Sequence, residues 1–489
     1  MNISPYFQSV RRSGTFDVVR LRSLDSRRKG RAMARILHFN GFEMNTPSHI
    51  NHGLWVHPGN RRHEYTDIGY WLDTARLLER GLFDALFLAD VVGTYSVYEG
   101  SRDSAIARGI QSPNNDPFLV VPAMAAVTEN LGFAVTFTTT YEPPFGNARR
   151  FSTLDHLTRG RIAWNVVTGY LPDAARNYGL GAQVGHDDRY ELAEEFLEVS
   201  YKLWEGSWEE DAVLHDRAER RYSDPAKVHE ISHRGRYFTV DGPHLSEPSP
   251  QRTPVIYQAG SSDRGRAFAA RHAEAIFVGA RTERQAREVI DDVRELAEAN
   301  GRGRDAVRFL VGLNVIVGET ENEARRKLDE ILRYRDTIGY LVHFGGSSGI
   351  DLAALGAEEY LGFKARGHVE SAERSFADKR VREVVDHFSD PFDDPFFVVG
   401  APDQVADRIE EIAERTGVDG FNLVQYLSPG TFTDFIELVV PELQRRGRYR
   451  RSYTEGTTLR ERLHGEGPRL PASHPGAAHR IGASIGAVP

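Results

Sequence analysis

The chain has 489 residues, 61 Lys and Arg against 70 Asp and Glu, and a pI near 6.1. A net charge of -9 leaves no basic excess with which to neutralise a phosphate backbone, which argues against nucleic acid as a partner. There is no cysteine, which removes disulfides, thiolate nucleophiles, iron–sulfur clusters and thiolate zinc sites and is compatible with a reducing cytoplasm. No apolar run approaches the roughly 20 residues that a membrane span needs.

Residues 1–34 form a basic leader, with Arg11, Arg12, Arg27, Arg28, Lys29 and Arg31 and without the apolar middle of a secretory signal. It reads as a loose tail or as a misassigned start, with Met33 as the alternative. Strand-like runs then alternate with helical patterns: Ile36 to Asn40, Ala85 to Ala89, Gly132 to Thr138, Ile162 to Val167, Pro254 to Gln258, Ala275 to Val278, Phe309 to Val317 and Gly420 to Gln425. Helices are expected over Tyr70 to Arg80, Arg189 to Trp204, Gly265 to His272, Glu283 to Ala299 and from Pro402 to Arg415.

Eight βα units predict an α/β fold, a (β/α)8 TIM barrel over residues 35–464. No Gly-x-Gly-x-x-Gly follows the first strand, so the dinucleotide-binding alternative is disfavoured. The surplus length is assigned to insertions near residues 93–116, 206–253 and 339–397, the last a natural lid over the mouth. Residues 465–489 read as a C-terminal tail too poor in apolar residues to fold alone, with packing against another subunit one outcome.

In such a barrel the C-terminal strand ends face the active site. That rule selects Asp90, Thr138, Asn165, Thr168, Gly169, Tyr170, Gly260, Ser261 and Ser262. Ala259 to Gly265 joins small residues and two serines to a helix start, the arrangement of a phosphate seat, although the same run is also ordinary strand-to-helix punctuation. Most of these groups are uncharged hydrogen-bonders, which suits a polar heterocycle better than a metal. Tyr190 is close enough in sequence to a helix start to send its hydroxyl to a phosphate.

His49, His52, His57 and His63 lack helical ligand spacing and clustered carboxylates, so no metal site is expected. His49 stands near the first strand end. His343, in His-Phe-Gly-Gly, lies in the expected lid before a glycine hinge. Tyr95 and Gln111 fall in the first insertion, as site residues or surface contacts. Trp204 and Trp208 read as helix-end packing, and Asp187 and Asp188 as helix caps.

Phe42-Glu43-Met44-Asn45, His52-Gly53-Leu54-Trp55, Phe83 to Asp90, Ser152 to Thr158, Trp164 to Thr168 and Ser249 to Pro254 together resemble the bacterial luciferase-like flavin monooxygenases. The resemblance runs from about Ile36 to His464. It is narrowest to the branch holding nitrilotriacetate, dibenzothiophene sulfone, dimethyl sulfide and long-chain alkane monooxygenases, and nearest to the alkane enzyme. It implies an FMN-dependent two-component monooxygenase, a homodimer or homotetramer supplied with reduced FMN by a separate NAD(P)H flavin reductase. Such an enzyme uses O2, through a C4a-peroxyflavin, to oxygenate a small apolar substrate in the cytoplasm.

By that resemblance Asp90, Thr138, Thr168, Gly169, Tyr190 and Gly260 to Ser262 hold the flavin, while His49, Tyr95, Gln111, Tyr170 and His343 line the catalytic side. Two positions depart from the alkane enzyme: Thr46 replaces a cysteine and Tyr170 a histidine. An alkane therefore stands beside organosulfur compounds and amines as the expected substrate. A deazaflavin-dependent oxidoreductase and a flavin-binding protein without turnover are the other readings.

Overall fold

The computed structural model describes residues 35–482 apart from 261, 363, 365–367, 370–372 and 374. The basic leader and the question of Met33 therefore lie outside the described residues. Nine parallel strands form one sheet: β1 (His38–Met44), β2 (Ala85–Ala89), β3 (Gly132–Thr138), β4 (Ile162–Val167), β5 (Val255–Gln258), β6 (Ala275–Val278), β7 (Arg308–Val317), β8 (Phe397–Gly400) and β9 (Gly420–Val424). Eight of them close a barrel, since β6 pairs with β7, β7 with β9 and β9 with β1. Each strand is followed by one or more helices before the next, as parallel neighbours require.

Strand periodicity divides the core in two. Phe42, Phe87, Ala134, Ala163, Tyr257, Leu310 and Val424 share one cluster inside the barrel, while Phe39, Leu86, Val135, Trp164, Ile256, Val311 and Leu423 face the surrounding helices. The main helices are α1 (Ile68–Arg80), α2 (Pro144–Thr158), α3 (His186–Gly206), α4 (Asp263–His272), α5 (Glu283–Ala299), α6 (Glu321–Leu332), α7 (Thr337–Ser348), α8 (Pro402–Thr416) and α9 (Leu459–His464). Leu459 and Leu463 of α9 belong to the interior cluster, and Arg460 pairs with buried Glu274, so α9 plugs the bottom of the barrel.

Four expectations change. The first strand runs to Met44 rather than ending at Asn40; Glu43 within it is buried in an ion pair with Arg62 and accepts from Gln425 and Tyr70. β8 was not expected; the Phe397-Val398-Val399-Gly400 run pairs with the C-terminal half of the ten-residue β7, beyond the part that pairs with β6. α3 begins at His186 with Gly185 as its N-cap, so Asp187 and Asp188 lie within the first turn rather than capping it. The stretch after Glu466 folds back on its own barrel, where His474 is buried against the carbonyl of His272 and Tyr201 of α3 stands edge-on to it.

Trp204 is buried in the aromatic cluster of Trp164 and Phe151, and Trp208 donates to the carbonyl of His244, so both pack structure together. No helix among the described residues is long and apolar enough to cross a membrane.

Candidate active site

A cavity of about 260 Å3 opens at the C-terminal end of the barrel strands. Its wall is built from consecutive strand ends: Asp90 after β2, Thr136 and Thr138 of β3, Thr168, Gly169 and Tyr170 after β4, and Gln258 and Gly260 at β5. Their convergence follows from barrel closure, which brings segments distant in sequence to one rim. Seven of the eight flavin-side candidates line this cavity: Asp90, Thr138, Thr168, Gly169, Tyr190, Gly260 and Ser262. The eighth, Ser261, lies outside the described residues.

At one end the cavity meets the N-terminus of α4. Ser262 is its N-cap, accepting from the Gly265 N–H at 3.1 Å, and its hydroxyl stands 3.4 Å from His186 Nε2. Gly260 allows this close approach: a Cβ there would fall 2.7 Å from the Tyr190 hydroxyl, and closer still to Gln258 Nε2. Arg189, His186 and Tyr190 reach the same end from the first two turns of α3. Cationic, hydroxyl and helix N-terminal groups around a side-chain-free backbone make an anion seat. His186, Arg189 and Gln258 escaped the sequence reading; Gln258 is the last residue of β5, so the strand-end rule applied in full would have included it.

At the opposite side Asp90 accepts from Asn114 Nδ2 at 2.6 Å. Burial pushes the Asp90 carboxyl up to about 7, against that hydrogen bond, and Asp116 raises it further. Aspartate at this position is therefore poised between neutral and charged forms near neutrality.

The catalytic-side candidates do not share the cavity as a set. Tyr170 lines it, whereas Tyr95, Gln111, His49 and His343 form a second layer behind. The Tyr95 hydroxyl donates to Gln111 Oε1 at 2.7 Å and stands 3.2 Å from the Tyr170 hydroxyl, while its ring stacks on His343 at 5.2 Å. His49 packs edge-on against Phe42, at 4.5 Å between ring centres. Burial lowers the pKa of His343 to about 4 and that of His49 well below its usual value, so both rings are neutral at pH 7.

His343 lies in α7, and the glycines after it are helical rather than a hinge. A Cβ on Gly346 would fall 2.7 Å from Cγ of the Tyr95 ring, so this glycine lets the helix approach the tyrosine. The third insertion supplies His368 and Val369 to the cavity wall, held by Val369 N–H donating to the carbonyl of Ser347 at 2.8 Å. Thr46 is buried, and its hydroxyl donates to the carbonyl of Pro113 at 2.7 Å, tying the loop after β1 to the insertion that carries Gln111. The four N-terminal histidines are dispersed: His52 contacts Ser48 and His343, His57 meets Glu330, and His63 meets the carbonyl of Asn60. Among the described residues no group of three or more His, Cys, Asp or Glu is arranged to hold a metal ion.

A closed parallel barrel with a cavity at the C-terminal ends of its strands is the architecture of a (β/α)8 barrel enzyme. Residues 50–420 match the family model of luciferase-like monooxygenases, and the chain belongs to that family. It is 53% identical over 451 residues to the long-chain alkane monooxygenase of Geobacillus thermodenitrificans (strain NG80-2), covering 92% of this chain and 99% of that one. It is 46% identical over 458 residues to the dimethyl-sulfide monooxygenase of Hyphomicrobium sulfonivorans, covering 92% and 94%. The crystal structure of a riboflavin lyase with modified FMN and riboflavin is 38% identical and superposes with a TM-score of 0.87, over 91% of this chain and 100% of that one.

Proposed function

We propose that the cavity holds FMN and that the chain oxygenates a small apolar substrate, a long-chain alkane before a thioether, sulfone or amine. The observation that carries the cofactor is the anion seat: the absence of a side chain at Gly260 lets Tyr190 and Gln258 close on the backbone beside the start of α4, where a helix N-terminus favours an anion. FMN carries the one phosphate such a seat would take. When bound in its reduced form, FMN supplies the electrons that activate O2.

The chain's own residues bind, orient and exclude water. Ser262, His186, Arg189 and Tyr190 would hold the phosphate end. Thr138, Thr168, Gly169 and Asp90 would fix the ring system in the strand-end wall. Tyr170 stands between the cavity and the Tyr95, Gln111 and His343 layer, where it and His343 would donate hydrogen bonds to reacting oxygen. His49 packs behind that face. His368 and Val369, which line the cavity, would help to exclude water from it.

A separate NAD(P)H flavin reductase would deliver the reduced cofactor in the cytoplasm, and the working form would be a homodimer or homotetramer. The test is titration with FMN, riboflavin and a deazaflavin, followed by turnover with a flavin reductase and a panel of alkanes, thioethers, sulfones and amines. FMN bound well above riboflavin, with oxygenated alkane formed, is the expected result. Preference for the deazaflavin, or FMN bound with no product from any substrate, would overturn it.

A further inference from the structure

Ser48, His52 and His343 form a hydrogen-bonded file behind the Tyr95 ring. Ser48 Oγ stands 2.8 Å from His52 Nδ1, and His52 Nε2 stands 3.0 Å from His343 Nδ1. Ser48 is 2% exposed and His52 is fully buried, so bulk water serves neither. Burial, together with the neighbouring His343 and His49, lowers the pKa of His52 well below the usual value, and His343 is likewise neutral at pH 7. The bond between His52 and His343 therefore needs one nitrogen that carries a proton and one that does not.

The serine decides the direction. A buried hydroxyl must place its hydrogen on an acceptor, and the acceptor described for Ser48 is His52 Nδ1. His52 then carries its own proton on Nε2 and donates it to His343 Nδ1. His343 is left with its proton on Nε2, the edge turned away from His52. The opposite order would have His52 Nδ1 donate to Ser48 and leave the hydroxyl hydrogen without a described acceptor, which a buried polar group disfavours.

We propose that His52 is a positioning residue that holds His343 in the neutral Nε2–H tautomer, so that the ring presents a hydrogen-bond donor on its outward edge. Stacking against Tyr95 holds the plane of that ring, and Tyr340 packs edge-on against His52 at 5.1 Å. The catalytic consequence rests on the proposed function, in which His343 donates to a reacting oxygen; the tautomer itself does not.

The experiment is long-range 1H–15N correlation on histidine-labelled protein without flavin at pH 7.5, with the His343 signals assigned by their loss in His343→Gln. An Nε2–H pattern for His343 is expected in the native chain and in His52→Gln, whose amide can still donate. In His52→Leu, His343 should show both tautomers. An Nδ1–H pattern in the native chain overturns the proposal without recourse to any variant, as does an unchanged Nε2–H pattern in a folded His52→Leu. In turnover, hydrogen peroxide release should rise several-fold in His52→Leu and return towards the native level in His52→Gln. A native chain that oxygenates nothing would remove the functional reading while leaving the tautomer result intact.

Discussion

The Tyr95 and Tyr170 hydroxyls lie 3.2 Å apart, and this contact joins the cavity to the histidine layer behind it. Tyr170 comes from the loop after β4 and Tyr95 from the first insertion, so the bond also ties that insertion to the barrel. Replacing Tyr170 with Phe removes the hydroxyl while keeping the ring. FMN affinity should change by less than about threefold, whereas the fraction of oxygen released as hydrogen peroxide should rise several-fold. Simultaneous measurement of oxygen consumed and product formed checks this, and unchanged coupling would remove Tyr170 from the catalytic side.

The anion seat depends on a missing side chain. In Gly260→Ala the new methyl would displace the tips of Gln258 and Tyr190, both ends of longer side chains, and press on the Gly265 Cα at 3.2 Å, a local shift that the fold should survive. FMN should bind at least about tenfold more weakly, a loss of about 1.4 kcal/mol, while riboflavin, which lacks the phosphate, should be much less affected. Fluorescence titration of both ligands, with thermal melting as the folding control, reads the difference. Equal losses for the two would place the phosphate elsewhere.

Asp90 should make flavin binding depend on pH near neutrality. Its carboxyl, pushed up to about 7 by burial, is mostly neutral at pH 6 and mostly charged at pH 8. Charging it places a negative group in the wall of the cavity proposed to hold anionic FMN, so affinity should fall as pH rises through 7. Asp90→Asn should flatten that profile. A native affinity independent of pH between 6 and 8 would refute the assignment.

Acid should destabilise the fold before the carboxylates titrate. Burial lowers His244, His343 and His464 to about 4, while the unfolded chain binds these protons near 6.5. Their contribution is therefore fully present above 6.5 and is lost as pH falls from 6.5 to 4, by at most about 3 kcal/mol for each ring. Glu274, held at about 2 by Arg460 despite its burial, extends the loss below pH 4.5. Denaturant unfolding between pH 7.5 and 4.5 should show the first decline, and His244→Gln, which removes one of the three histidines, should make it shallower. A flat stability across that range would contradict the burial of these rings.

Much of the barrel was legible because its strands are short apolar runs bounded by turns. Ala85–Ala89, Gly132–Thr138, Ile162–Val167 and Ala275–Val278 are read to the residue. Glu43 shows why β1 was cut short: an ionised side chain inside a strand implies solvent until Arg62, 19 positions on, is seen to pair with it. β8 was lost because four apolar residues in a long insertion have no neighbour in sequence to name them a strand. The flavin-side candidates were legible because strand ends are local features, whereas the link from His52 to His343 spans 291 positions and has no local signature.

By itself the sequence determined the alternation of strand and helix, the small residues and serines ahead of α4, and the family through its motifs, since all of these are set by neighbouring residues. Only the tertiary structure decided that Tyr170 faces the cavity while Tyr95, Gln111, His49 and His343 stand behind it, and that Gly346 is a seat for a tyrosine rather than a hinge. The physical reason is closure: a barrel joins segments hundreds of residues apart, and which side chain ends in front depends on packing that no local pattern encodes.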